Sequence, residues 1–200
     1  MSTPTPAHLI RFASLCAERW RNGGGSTVEI ARSQPPGSGT GAPAPGTDWN
    51  WRLSVAEVSR AGAFSAFPGC ERILTVIEGE FMLLTIDGVD HGLQKYRPFR
   101  FEGGADTGAT LPEGPIRDLN LITGPGHRGH VVILELSKKR PHPVFDDQHA
   151  VFLHGNAVVS GGPGEEPLGL ERLDTVIGND AAPPEISGRG FLAVVSHDRR

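Results

Sequence analysis

Arg52 and Ser54 form the most suggestive pairing in this chain of 200 residues. Side chains alternate along a strand, so Arg52, Ser54 and Ala56 share one face of the stretch 50–58. Trp51, Leu53 and Val55 share the other. A guanidinium and a hydroxyl converging from one face suit an anion, because the planar fork grips a carboxylate through two parallel bonds. Other reactive side chains lack the spacing their chemistry needs. His127 and His130 stand three apart, but in text that reads as loop and strand, where that spacing does not converge on a metal. Gly23-Gly24-Gly25-Ser26-Thr27 lacks the lysine and the strand-to-helix setting of a phosphate loop. No nucleophile-elbow text is present. Cys16 and Cys70 fit neither ligand nor redox spacing, and they read as reduced thiols of a cytoplasmic protein, with a bridge between them disfavoured.

The elements that must hold these residues are short strands. Glycine (27) and proline (17) exceed a fifth of the chain, and frequent turns mean short elements. Residues 7–19 suit a strand followed by a turn or helical piece. Strand patterns then fall at 28–32, 50–58, 72–78 and 81–86, the last followed by the hairpin signal Asp87-Gly88. Further strand-like stretches are 96–101, 118–123, 130–137, 150–154, 157–160, 175–177 and 191–195. No convincing helix follows residue 30, so an all-β antiparallel barrel or sandwich is expected. Residues 33–48 carry Pro, Gly, Ser and Thr without periodicity and read as a flexible insertion loop. A second glycine-rich loop spans 160–169.

Charge narrows the partners. Nineteen basic residues against 23 acidic give a formal charge of −4. Nucleic-acid binding draws on a basic stripe that releases counterions, and only Lys138-Lys139-Arg140 and Arg199-Arg200 are dense. These read as solvated ends, so no nucleic-acid partner is expected. No apolar window reaches membrane-spanning length, and the first residues do not read as a signal peptide. No membrane partner is expected; a homodimer is compatible with the class.

The text Val76-Ile77-Glu78-Gly79-Glu80-Phe81 resembles the centre of a cupin barrel. Laid on the first motif of metal-binding cupins, Ser65 and Phe67 fall at the histidine positions, Arg72 at the glutamate and Gly79 at the glycine. The spacing matches and the metal chemistry does not. Pro112-Glu113-Gly114 resembles the turn of the second motif, with Arg117 or Asp118 where histidine would stand. Four ordered stretches are more specific: Trp20-x-Asn22-Gly23-Gly24-Gly25-x-Thr27-x-Glu29, Trp51-Arg52-Leu53-Ser54-x-Ala56, Gly62-x-Phe64-Ser65-x-Phe67-Pro68-Gly69-x-x-Arg72 and Gly114-Pro115-x-x-Asp118-x-Asn120. Together they closely resemble the HutD/Ves family over residues 7–125, and in layout beyond.

That resemblance implies an all-β, two-lobed cupin fold, with lobes at 7–125 and 126–200 within one 1–200 unit. For the HutD branch it implies a role in histidine utilisation, with N-formylglutamate or a related formyl or carboxylate compound as ligand. For the Ves branch it implies stress induction. An arginine in the ion's place repels a cation and attracts a carboxylate, so no metal and no cofactor are expected. The candidate ligand-binding set is Asn22, Arg52, Ser54, Phe64, Ser65, Phe67, Arg72 and Asp118. Each has a plain structural alternative. Arg52 or Arg72 would pair with Glu71, Glu78 or Asp118; Phe64 and Phe67 would be core; Asn22, Asp118 and Asn120 would support turns. A binding protein is expected ahead of a metal-free isomerase, epimerase or hydrolase, for which His91, Asp118 and Glu78 are the available bases.

Overall fold

The computed structural model describes residues 8–33, 48–161 and 166–199. The insertion at 33–48 lies, apart from its two ends, outside the described residues, as do 162–165 of the second glycine-rich loop. In chain order the strands are β1 (Leu9–Ile10), β2 (Ala17–Arg19), β3 (Gly25–Arg32), β4 (Trp51–Val58), β5 (Gly62–Ala63) and β6 (Glu71–Glu78). Next come β7 (Phe81–Ile86), β8 (Val89–Gln94), β9 (Phe99–Glu102), β10 (Thr107–Thr110) and β11 (Ile116–Thr123). The remainder are β12 (His127–Leu136), β13 (His142–Pro143), β14 (Gln148–Ser160), β15 (Leu168–Leu170), β16 (Thr175–Ile177) and β17 (Glu185–Arg199). A single 3-10 turn, Phe12–Ser14, is the helical content of the described residues. The described residues form an all-β, antiparallel fold, as expected from the sequence.

Two compact units divide the chain. One is Cys16–Gly129 with Asp198–Arg200; the other is Met1–Leu15 with His130–His197. The sequence division put residues 7–15 with the first lobe. Backbone pairing decides otherwise: Leu9 and Ile10 pair with Val176 and Thr175, so β1 extends the sheet of the second unit.

In the 16–129 unit a six-stranded sheet runs β2-β3-β4-β11-β6-β9, and a four-stranded sheet runs β5-β10-β7-β8. Their facing side chains form one apolar cluster. Val58, Leu74, Val76 and Ile116 come from the first sheet, and Met82, Leu84, Leu93 and Ala109 from the second. The Asp87-Gly88 hairpin joins β7 to β8, with φ of +48° and +81° at the two turn residues. Both angles are positive, as a type I′ hairpin turn requires. The other unit holds a seven-stranded sheet, β1-β16-β14-β17-β12, with β15 on β14 and β13 on β17. Its core cluster includes Leu9, Phe152, Val159, Ile186 and Leu192.

β14 is one strand where the sequence suggested two, 150–154 and 157–160. Gly155 and Asn156 look like a turn between them. Instead Gly155 pairs with Gly190 of β17 across the ladder. A Cβ on Gly155 would stand 2.1 Å from the carbonyl oxygen of Arg189, so glycine there serves close strand approach.

Candidate functional site

The centre of the six-stranded sheet places the candidates. On β11, alternation turns Asp118, Asn120 and Ile122 to one face. Asn120 pairs across to Ser54 on β4, and Ile122 pairs to Arg52 on one side and Arg72 of β6 on the other. Three neighbouring strands therefore turn a polar set toward the same space. A cavity of about 410 Å³ opens there. All eight sequence candidates, Asn22, Arg52, Ser54, Phe64, Ser65, Phe67, Arg72 and Asp118, line it.

Arg72 is the centre of this set. It is only 4% exposed, and its guanidinium carbon sits 5.6, 5.6 and 5.1 Å from the ring centroids of Phe64, Phe67 and Phe101. Aromatic faces hold a guanidinium by cation–π attraction and restrict its rotation. Nη1 donates to the Ser65 carbonyl oxygen at 3.3 Å, while the buried Nε has no partner among the described residues. Burial pulls the Arg72 pKa down to about 10, with Asp118 acting against that shift and Arg52 adding to it. Arg72 thus remains a cation at neutral pH.

Asp118 is 1% exposed, and neither carboxylate oxygen has a hydrogen-bond donor among the described residues. Burial pushes its pKa up to about 7, and Arg72 acts in the opposite direction. The two do not form an ion pair; Asp118 is unpaired by contact and only electrostatically coupled. Asn120 is 8% exposed, with its side-chain oxygen equally unpartnered. Buried polar atoms are nearly always satisfied by protein, water or ligand, so three such groups on one cavity mark it as a wet or occupied site.

The structural alternatives resolve residue by residue. Arg52 pairs with none of the acids named for it: its Nε donates to Glu29 on β3 at 2.7 Å. Glu71 pairs with Arg100, and Glu78 with Arg117. Arg117 therefore faces away from the cavity, and of the two residues at the second-motif histidine position it is Asp118 that enters. Phe64 and Phe67 serve both as packing and as wall, Phe64 meeting Trp20 edge-on at 5.8 Å and Phe67 lying 6.2 Å from Trp49. Asn22 likewise has two roles. Its Oδ1 accepts from the Gly24 N–H at 2.9 Å, a local turn bond, while the residue borders the cavity. Ser65 contributes its carbonyl to Arg72, and Ser54 is buried beside it.

Sequence reasoning missed part of the wall. Trp20 and Thr27 line the cavity, joined by a bond from Trp20 Nε1 to Thr27 Oγ1 at 2.8 Å. Arg19 and Arg21 stand at its edge. Thr27 pairs with Ala56, so the register of β3 on β4, which the sequence does not reveal, places it on the Arg52 face. The other candidate bases are elsewhere: His91 lies on β8 against Phe99 at 5.0 Å, and Glu78 is paired. Cys70 is buried, and burial raises its thiol pKa, which disfavours the thiolate that nucleophilic chemistry needs. Among the described residues no group of three or more His, Cys, Asp or Glu could hold a metal ion.

Comparison with known proteins agrees with the fold and identifies the family. The HutD family model matches residues 13–194. Protein Ves of Citrobacter koseri is 42% identical over 106 residues, 52% of this chain and 51% of that protein. An uncharacterised 21.2 kDa protein from the hutC 3′ region of Pseudomonas putida is 42% identical over 118 residues, 58% of each chain. The chain thus spans little more than half the length of these relatives. Among solved structures, HutD from Pseudomonas fluorescens SBW25, in a formate condition, superposes with a TM-score of 0.75 at 30% identity, covering 96% of this chain and 98% of that one. A conserved protein of unknown function from Pseudomonas aeruginosa PAO1 gives a TM-score of 0.76 at 28% identity, with the same coverage.

Proposed function

The chain belongs to the HutD family, and from that premise we propose that it is a binding protein for a small carboxylate, of the class of N-formylglutamate, acting in histidine utilisation. The observation that carries this reading is Arg72: a buried cation, fixed among three rings, with an unpartnered Nε on a cavity of about 410 Å³. Arg52 adds a second guanidinium, whose Nε is held by Glu29. Each charge-assisted hydrogen bond contributes about 1.5–3 kcal/mol. Two or three, less the cost of immobilising the ligand, support affinities on the order of micromolar to millimolar. The hutC-region relative from P. putida and the HutD structure in a formate condition support the ligand class and the setting.

Calorimetric titration with N-formylglutamate and with formate tests the reading. Binding at millimolar strength or better is expected, weakened at least about tenfold in Arg72→Ala and Arg52→Ala, one lost charged bond being worth that much. No binding, or unchanged binding in both variants, overturns it. One observation favours a second reading, an enzyme: Asp118, with its pKa near 7 inside the cavity, has the character of a general acid or base. Time-dependent loss of the formylated compound during the titration would distinguish that reading from simple binding.

A further inference from the structure

The cavity has an unmatched half. Arg72 and Arg52 offer donors to an anion, but the Asp118 carboxylate and the Asn120 side-chain oxygen present unmet acceptors. Both Asp118 oxygens and Asn120 Oδ1 are buried and without a donor among the described residues. They sit two residues apart on one face of β11, 1% and 8% exposed, on the same cavity as Arg72. A simple carboxylate brings acceptors alone, so it would satisfy the arginines and leave these oxygens stranded. A buried acceptor without a donor costs more than the hydrogen bond itself contributes.

Resting on the anion-binding reading above, we infer that the ligand is an anion that also carries an N–H or O–H donor, which Asp118 and Asn120 accept while the guanidiniums hold the carboxylate. Selectivity then resides at the β11 end of the cavity. A site built to accept a donor rejects an analogue that lacks it, because the site's own polar groups are left unpaired. The strength of that acceptance follows the charge on Asp118, whose pKa lies at about 7. The charged groups facing it across the cavity are Arg72 on β6 and Arg52 on β4, with Glu18 and Arg19 on β2 and Arg21 beyond it. Arg72, with its pKa at about 10, keeps its charge across the range from pH 6 to 8.5, so the change in affinity over that range belongs to Asp118.

Glutarate and N-formylglutamate separate the two halves, since they share a five-carbon dicarboxylate backbone and only the second carries an amide N–H. Titration of the full chain at pH 8.5 is expected to show N-formylglutamate binding at least about tenfold tighter than glutarate, as one charge-assisted bond implies. That preference falls toward unity as pH drops to 6 and Asp118 takes up its proton. Asp118→Leu, which keeps the branch at Cγ but carries no acceptor, loses the preference. Asp118→Asn loses its pH dependence, and thermal melting confirms that each variant folds. Equal binding of the two anions to the parent protein, or an unchanged preference in Asp118→Leu, overturns the inference while leaving the anion site in place. Failure of both anions to bind overturns the anion reading as well.

Discussion

Two aspartates, Asp118 and Asp174, are equally buried at 1% exposure, one in each unit of the chain, and they are treated in opposite ways. Asp174 has every need met. Its Oδ2 accepts from Arg11 Nη1 at 2.6 Å and from the Glu171 N–H at 2.9 Å, and its Oδ1 accepts from the Phe12 N–H at 3.0 Å. It fastens the chain's N-terminal turn within its own unit. Asp118 has no donor and faces a cavity. The first is a carboxylate used for structure; the second is kept unsatisfied where a ligand can reach it. Burial alone therefore says nothing about role, and the donor inventory around each oxygen decides it.

The same substitution at both sites probes that contrast most directly. Asp118→Asn is expected to stabilise the protein at pH 8 by up to about 4 kcal/mol relative to its effect at pH 3, since each unit of pKa shift is worth about 1.4 kcal/mol. The sign follows from a native pKa of about 7 against an ordinary 3.8. The unfolded chain releases its proton first, so the parent loses stability as pH rises through that window. Urea unfolding at the two pH values measures it, and a pH-independent effect would remove Asp118 from the category of strained groups.

His149, in the unit of Asp174, should show the reverse slope. Burial, reinforced by His197, lowers its pKa to about 4 from 6.5. The unfolded chain then binds the proton first as pH falls, so stability is lost from about 6.5 down through 4, by up to about 3 kcal/mol. Asp118 acts with the opposite sign over the same window, so His149→Gln should expose a steeper fall in stability as pH rises from 4 to 6.5; an unchanged profile in urea unfolding would remove His149 from the titrating groups.

Asp174→Asn should act oppositely to Asp118→Asn at neutral pH. It replaces an acceptor with an amide facing donors and costs about 2 kcal/mol by the measure of charged hydrogen bonds. Stabilisation by this variant in urea unfolding would erase the distinction between the two aspartates.

Strand parity made much of the candidate site legible before any coordinates. Arg52 and Ser54 share a face because they are two apart in a strand, and family text brought Arg72, Phe64, Phe67 and Asp118 into the same set. Less legible were elements without apolar alternation. β8 reads Val-Asp-His-Gly-Leu-Gln, and β10 reads Thr-Gly-Ala-Thr. Each is a strand because β7 lies between them and pairs with both. Tertiary context overrides weak strand propensity in this way. The Arg52–Glu29 pair was equally hidden, since the partners are 23 residues apart and meet only when β3 lies on β4.

Composition and alternation by themselves determined that this chain is a turn-rich antiparallel β protein and which residues of β4 share a face. These are local matters, set by φ preferences and a two-residue period. Only the tertiary structure decided which buried polar groups are satisfied. A hydrogen bond over 160 residues, such as Arg11 to Asp174, or the lack of any at Asp118, depends on which strands end up adjacent. No local pattern encodes the distance between a donor and an acceptor on different strands, and that distance separates an aspartate with every bond made from one with none.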